Sequence, residues 1–177
     1  MNRPETEYLD VVDDNDTLTG QVLEKDYIHS HGIPHRTAHI WIMNGDKELL
    51  LQLRSKTKKS FPLYWDISAA GHIQAGETVI QGALRELHEE LGISASVDDL
   101  TFITKVRYIS ALNNEFGYVY LLKGDYSIED FHFEDHEVEA VKYVHYRQLE
   151  KMISEKEKDL LTHNDEEKIL IDYISKL

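Results

Sequence analysis

The segment Gly71 to Ile93, GHIQAGETVIQGALRELHEELGI, constrains this chain more than any other. Its apolar spacing predicts one helix from about Glu77 to Leu91, stopped by Gly92 as the C-cap. On a helical wheel with Glu86 at zero, about 100° per residue puts Glu89 at about −60° and Glu90 at about +40°. The same wheel gathers Ile80, Leu84, Leu87 and Leu91 between about 100° and 160°. One face can pack on a sheet, and the neighbouring face carries three carboxylates. Like charges three and four residues apart cost an isolated helix about 0.2–0.5 kcal/mol per pair. If the acids are sheltered, something must offset that repulsion. A hard divalent cation does so, because Mg²⁺ takes carboxylate and water oxygens. Arg85, four residues before Glu89, is placed to orient and neutralise it.

The rest of the chain reads as a sheet with helices at its end. Glu7–Val12 and Leu18–Leu23 flank the turn Asp13-Asp14-Asn15-Asp16 as a hairpin. Thr37–Met43 and Glu48–Leu53 are strands around Asn44-Gly45-Asp46. Tyr64–Ala70 is apolar and expected to be buried. Further strands are expected at Phe102–Tyr108, Tyr118–Leu122 and Glu139–Tyr146. The tail, from about residue 147 to residue 177, is helical. Leu149, Met152, Ile153 and Leu160 form one apolar stripe, and Ile169, Leu170, Tyr173, Ile174 and Leu177 another. These stripes suit either a cover for the sheet edge or a homodimer interface. Asn164 and Glu167 resemble a capping box for the last helix.

Length and charge exclude several classes. A chain of 177 residues suits one domain, taken here as residues 1–177. Thirty-three acidic residues against 19 basic ones give a net charge of −14, which argues against general nucleic-acid binding. With zero Cys there is no disulfide framework, thiolate nucleophile or Cys-ligated zinc. That is compatible with a reducing compartment, and a cytoplasmic location is expected. The opening MNRPETEYLD has no apolar core of a signal peptide, and no run is long enough to span a membrane. The basic run Arg54–Lys59 stands out against this acidity.

Residues 71–93 resemble the Nudix box, G-x5-E-x7-R-E-U-x-E-E-x-G-U, with U a bulky aliphatic. Gly71, Glu77, Arg85, Glu86, Leu87, Glu89, Glu90, Gly92 and Ile93 fill every constrained position. Average residue usage gives the seven fixed positions a chance match of about 10⁻⁸ per window, so coincidence is a poor account. The resemblance implies an α/β fold: the Nudix α/β/α sandwich with a mixed β-sheet, here with additional C-terminal helices. It implies hydrolysis of a nucleoside or other small organic diphosphate linked to a moiety X, with Mg²⁺ or Mn²⁺. Glu86, Glu89 and Glu90 are then metal ligands, Arg85 holds a carboxylate in place, and Glu77 supports the loop or binds a further cation. Cations neutralise the diphosphate, acidify bound water and align attack. Local positive charge, including Lys56, Lys58 and Lys59, has to reverse the field that the net charge sets up.

Three features outside the box resemble the branch that contains isopentenyl-diphosphate isomerase. They are His35-Arg36 before a strand holding Trp41, Ser68-Ala69-Ala70-Gly71-His72, and Asn113-Asn114-Glu115. That isomerase places His, His and two Glu around a metal, with a catalytic Cys two residues before the second His. His35 and His72 match the histidines and Glu115 one acid, while Asn113 stands where the other is expected. Ala70 occupies the Cys position and supplies neither acid nor base, which disfavours isomerisation. Glu115 is expected as a ligand or general base, and His35 and His72 as metal or phosphate contacts. The remaining histidines, His29, His39 and His163 among them, have no defensible ligand spacing. The alternatives to a hydrolase are an isomerase-like activity and a non-catalytic ligand-binding domain. The second usually shows as erosion of the box, which is intact here.

Overall fold

The computed structural model describes residues 6–110, 113–133, 137–163 and 165–177. The chain opens with a two-stranded hairpin, β1 (Tyr8–Val12) and β2 (Leu18–Glu24), followed by a short helix, α1 (Lys25–His31). A mixed sheet then forms from β3 (His35–Met43), β4 (Glu48–Arg54), β5 (Trp65–Asp66), β6 (Ala69–His72), β7 (Leu100–Ile109), β8 (Asn114–Lys123) and β9 (Val138–His145). The order is β5-β4-β3-β8-β7, with β6 also on β3 and β9 also on β4. β3 and β8 run parallel, and the other pairs run antiparallel.

Side-chain alternation along β3 divides the core in two. Ala38, Ile40 and Ile42 point to one face and pack with Leu50, Ala69 and the Ala83, Leu87 and Leu91 side chains of α2 (Val79–Leu91). Trp41 and Met43 point to the other face. They pack with Leu49, Leu51, Val119 and Leu121 against α3 (Tyr146–Ser154) and α4 (Asp165–Ser175), through Leu149, Met152, Leu170, Ile171 and Ile174. The layers are therefore helix, sheet, helix, as the resemblance implied.

Several details differ from expectation. The helix α2 starts after Thr78, not at Glu77. The Thr78 hydroxyl accepts from Gln81 N–H, while the Gln81 side chain accepts from Thr78 N–H at 2.9 Å. Glu77 stays outside the helix and accepts from Gln74 N–H at 2.9 Å. Gly92 ends α2 with φ 71°, a conformation glycine adopts without a steric penalty. The helix α1 was not legible because Ile28 is its only buried side chain, too little for a period. Ile169 and Leu177, assigned to the second tail stripe, are exposed. The capping expected of Asn164 lies outside the described residues. Among the described residues, no helix is long and apolar enough to cross a membrane.

For the site, the consequential element is β6. Its register on β3 sets Gly71 opposite Ala38 and His72 opposite Thr37, so these neighbours face opposite sides of the sheet.

Candidate active site

Arg85 gathers the acids of the box. Its Nη1 donates to Glu86 Oε1 at 2.7 Å and to Glu89 Oε2 at 2.9 Å. Its Nε donates to Glu77 Oε1 at 2.9 Å, and its Nη2 to Glu77 Oε2 at 3.1 Å and to the His72 carbonyl at 2.8 Å. Three carboxylates thus share one guanidinium, whose planar fork suits several acceptors at once. Glu90 stands apart from this hub. Its Oε2 accepts from Gln52 Nε2 at 3.0 Å and from Ala70 N–H at 3.1 Å.

The wheel placed all three acids beside the apolar face, but the sheet sorts them. Glu86 and Glu90 are buried, while Glu89 is exposed. Burial pushes Glu86 up to about 7 despite the adjacent Arg85. Burial and the charge of Glu86 push Glu90 well above the usual carboxylate range. For Glu77 burial acts upward too, but its hydrogen bonds from Arg85 win and hold it below the usual value. Two buried acids of raised basicity, Glu86 and Glu90, are groups whose burial a divalent cation would relieve, although among the described residues the box acids do not bring three ligand atoms within 4.8 Å of one another.

Gly71 makes room for this set. A Cβ there would fall 2.0 Å from Glu86 Cδ and 2.2 Å from each of its carboxylate oxygens. The oxygens of Glu86 thus occupy the space that any other residue at position 71 would fill.

A second set forms on the other side of β6. His29, His35, His72 and Glu115 each bring one ligand atom within 4.8 Å of the others. His29 Nε2 lies 3.2 Å from His35 Nε2 and 2.9 Å from His72 Nε2. Glu115 Oε1 is 3.6 Å from His35 Nε2 and 3.9 Å from His29 Nε2. The Nδ1–H of His35 donates to the Ile33 carbonyl at 2.9 Å, which turns its Nε2 lone pair toward the cluster. Burial, with the charges of Lys25 and His35, pulls His72 well below the ordinary imidazole value. Burial and the neighbouring His35 pull His29 down as well. Burial alone would raise Glu115, yet the hydrogen bond and charge of His35 outweigh it and lower the net value. Three imidazole nitrogens converging beside a carboxylate match the donor chemistry of a borderline transition metal.

The expected residues therefore divide. Glu77, Arg85, Glu86 and Glu89 meet directly, and His35, His72 and Glu115 meet in the second set. His72 belongs to both, because its carbonyl accepts from Arg85. Lys58 pairs with Glu137, and its charge also reaches Glu90. Sequence reasoning missed His29, which α1 carries in from 43 residues before His72. Its one signal was six-residue spacing from His35, which is weak without knowing that a helix ends between them.

His39, also set aside on sequence, belongs to a separate network with Glu166 and His163. Glu166 accepts from His39 Nδ1 at 2.7 Å, from Trp41 Nε1 at 2.6 Å and from the Tyr108 hydroxyl. His163 Nε2 donates to Asp66 Oδ1 at 2.7 Å, and Arg54 Nη1 donates to Asp66 Oδ2 at 3.0 Å. These donors and acceptors close on one another and dock α4 on the sheet.

The family model described as the NUDIX domain matches residues 33–163. The chain belongs to the Nudix family. Nudix hydrolase 3 of Arabidopsis thaliana is 39% identical over 160 residues, covering 85% of this chain and 21% of that protein. This Nudix chain thus spans about a fifth of that relative's length. An uncharacterized Nudix hydrolase of Clostridium acetobutylicum is 31% identical, covering 86% of this chain and 76% of its own. An isopentenyl-diphosphate Delta-isomerase of Pectobacterium atrosepticum is 34% identical over 66% of this chain and 65% of its own. Among solved structures, DR0079 from Deinococcus radiodurans superposes with a TM-score of 0.71 at 25% identity, covering 96% of this chain and 98% of its own.

Proposed function

We propose that this Nudix chain is a divalent-metal-dependent hydrolase that cleaves the diphosphate linkage of a small molecule joined to a moiety X. The observation that carries the reading is the sharing of Arg85 by Glu77, Glu86 and Glu89, with the Glu86 carboxylate seated against Gly71. Glu86, Glu89 and Glu90, supported by Glu77, are the residues that would hold Mg²⁺ or Mn²⁺. Such ions, when bound, neutralise diphosphate charge and acidify water. Arg85 keeps Glu86 and Glu89 at one orientation, which limits the reorganisation needed when a substrate arrives. Glu89, the exposed member, is the acid best placed to exchange protons with solvent as the general base. Lys58 brings positive charge to the Glu90 side, where its partner Glu137 opposes it.

The His29–His35–His72–Glu115 set is a second cation site of different donor chemistry in this reading, and Glu115 serves there as ligand. It is also the observation that favours a second reading, an isomerase-like reaction. Against that, Ala70 offers no acid or base, and its N–H is committed to Glu90.

The test is a broad diphosphate panel with metal titration. Wild-type protein should release phosphate or a monophosphate with Mg²⁺ or Mn²⁺, and Glu89→Gln and Glu90→Gln should abolish release. Turnover untouched by both substitutions would remove these residues from the mechanism. His72→Ala should lower the number of bound transition-metal ions while leaving the box intact. Deuterium entering isopentenyl diphosphate in heavy water, without hydrolysis of the panel, would turn the assignment to the isomerase.

A further inference from the structure

Within β4 the run Leu49-Leu50-Leu51-Gln52-Leu53 places one amide in an otherwise apolar stretch. Alternation puts Gln52 on the same side as Leu50, the side covered by α2, and Gln52 is 3% exposed. A buried amide is costly unless it is hydrogen-bonded, so its presence among leucines asks for a partner. That partner is Glu90, whose Oε2 receives Gln52 Nε2 at 3.0 Å. The backbone N–H of Ala70 reaches the same oxygen at 3.1 Å.

The box acids are thus oriented by two different devices. Arg85 holds Glu86 and Glu89 from the helix, and the sheet holds Glu90 through Gln52 and Ala70. Both donors fall on Oε2, and among the described residues no hydrogen bond reaches Oε1. From this geometry we infer that Gln52 is a positioning residue for the metal site: it fixes the Glu90 carboxylate with Oε1 presented and Oε2 anchored. The inference rests on the metal-dependent reading above and adds to it a residue 38 positions away in sequence. Partners that orient a ligating carboxylate in this way typically change metal affinity by about ten- to hundredfold when removed.

Gln52→Met tests this in the full chain, since Met is close in volume and lacks the donor. Mn²⁺ binding is read by electron paramagnetic resonance, alongside thermal unfolding and steady-state kinetics on whichever diphosphate the wild type cleaves. Half-saturating Mn²⁺ should rise about tenfold or more, with kcat at saturating metal much less affected. In a Glu90→Gln background the same substitution should add little, because the two act as one unit. Gln52→Leu repeats the measurement should the Met variant unfold. Unchanged Mn²⁺ affinity in folded Gln52 variants overturns the inference and leaves the hydrolase reading standing. So does an equal further loss in the Glu90→Gln background, the mark of a merely structural amide. A wild-type chain that binds no Mn²⁺ overturns both.

Discussion

Gly71 and Glu86 compete for one volume: a methyl group on residue 71 would overlap the Glu86 carboxyl carbon at 2.0 Å. The glycine is needed for space, because the helix delivers the acid directly onto the strand. Gly71→Ala should therefore push Glu86 out of place while the sheet, whose register uses only backbone groups there, persists. Activity should drop by about ten- to hundredfold, with the circular dichroism spectrum unchanged. An alanine variant with wild-type kcat/KM would mean that Glu86 is free to move without consequence.

Metal and pH should be linked through the buried acids. Burial raises Glu86 to about 7 in the folded protein, against about 4.3 when unfolded. The folded state thus holds the extra proton across that window, and metal-free stability should fall as pH rises through it. A bound cation replaces the proton, so stabilisation by Mg²⁺ or Mn²⁺ should be larger at pH 8 than at pH 6. Thermal midpoints with and without metal at the two values check this. A metal-induced shift that is equal at both, or larger at pH 6, contradicts it.

The α4 dock should respond to base. Burial opposes the charge on His163, but its bond to Asp66 wins and raises it to about 9. That contribution is complete below the unfolded value of about 6.5 and is lost as pH rises through about 9. His163→Ala removes one partner of Asp66, leaving Arg54, and should cost about 3 kcal/mol near pH 7. The difference between wild type and variant should shrink by pH 10. Urea midpoints at both values provide the measurement, and a difference that is constant with pH would assign the effect to packing.

Local pattern carried much of this protein. The α2 helix, its Gly92 stop, the strands around Asn44-Gly45-Asp46 and the acids of the box all follow from spacings within one element. Strand ends were less legible: β8 runs from Asn114, four residues before the expected Tyr118, because pairing with β3 extends it to the site. Gln52 and His29 were passed over, since a polar residue shows its purpose only through the group it meets. The Glu166 partners His39 and Trp41 lie 127 and 125 residues away, beyond any periodicity.

By itself the amino-acid order determined that one helix would carry three acids beside an apolar stripe, and that alternating strands would supply a sheet to cover. Helical and pleated periods belong to the backbone, so they can be read one element at a time. Only the tertiary structure decided which acids would be buried, that Arg85 would be shared, and that His29, His35, His72 and Glu115 would converge. Those outcomes depend on the parallel register that sets His35 beside Glu115 and on the crossing of α2 over Gly71. Both arise from packing between segments distant in the chain, where burial and charge act on neighbours that no local window contains.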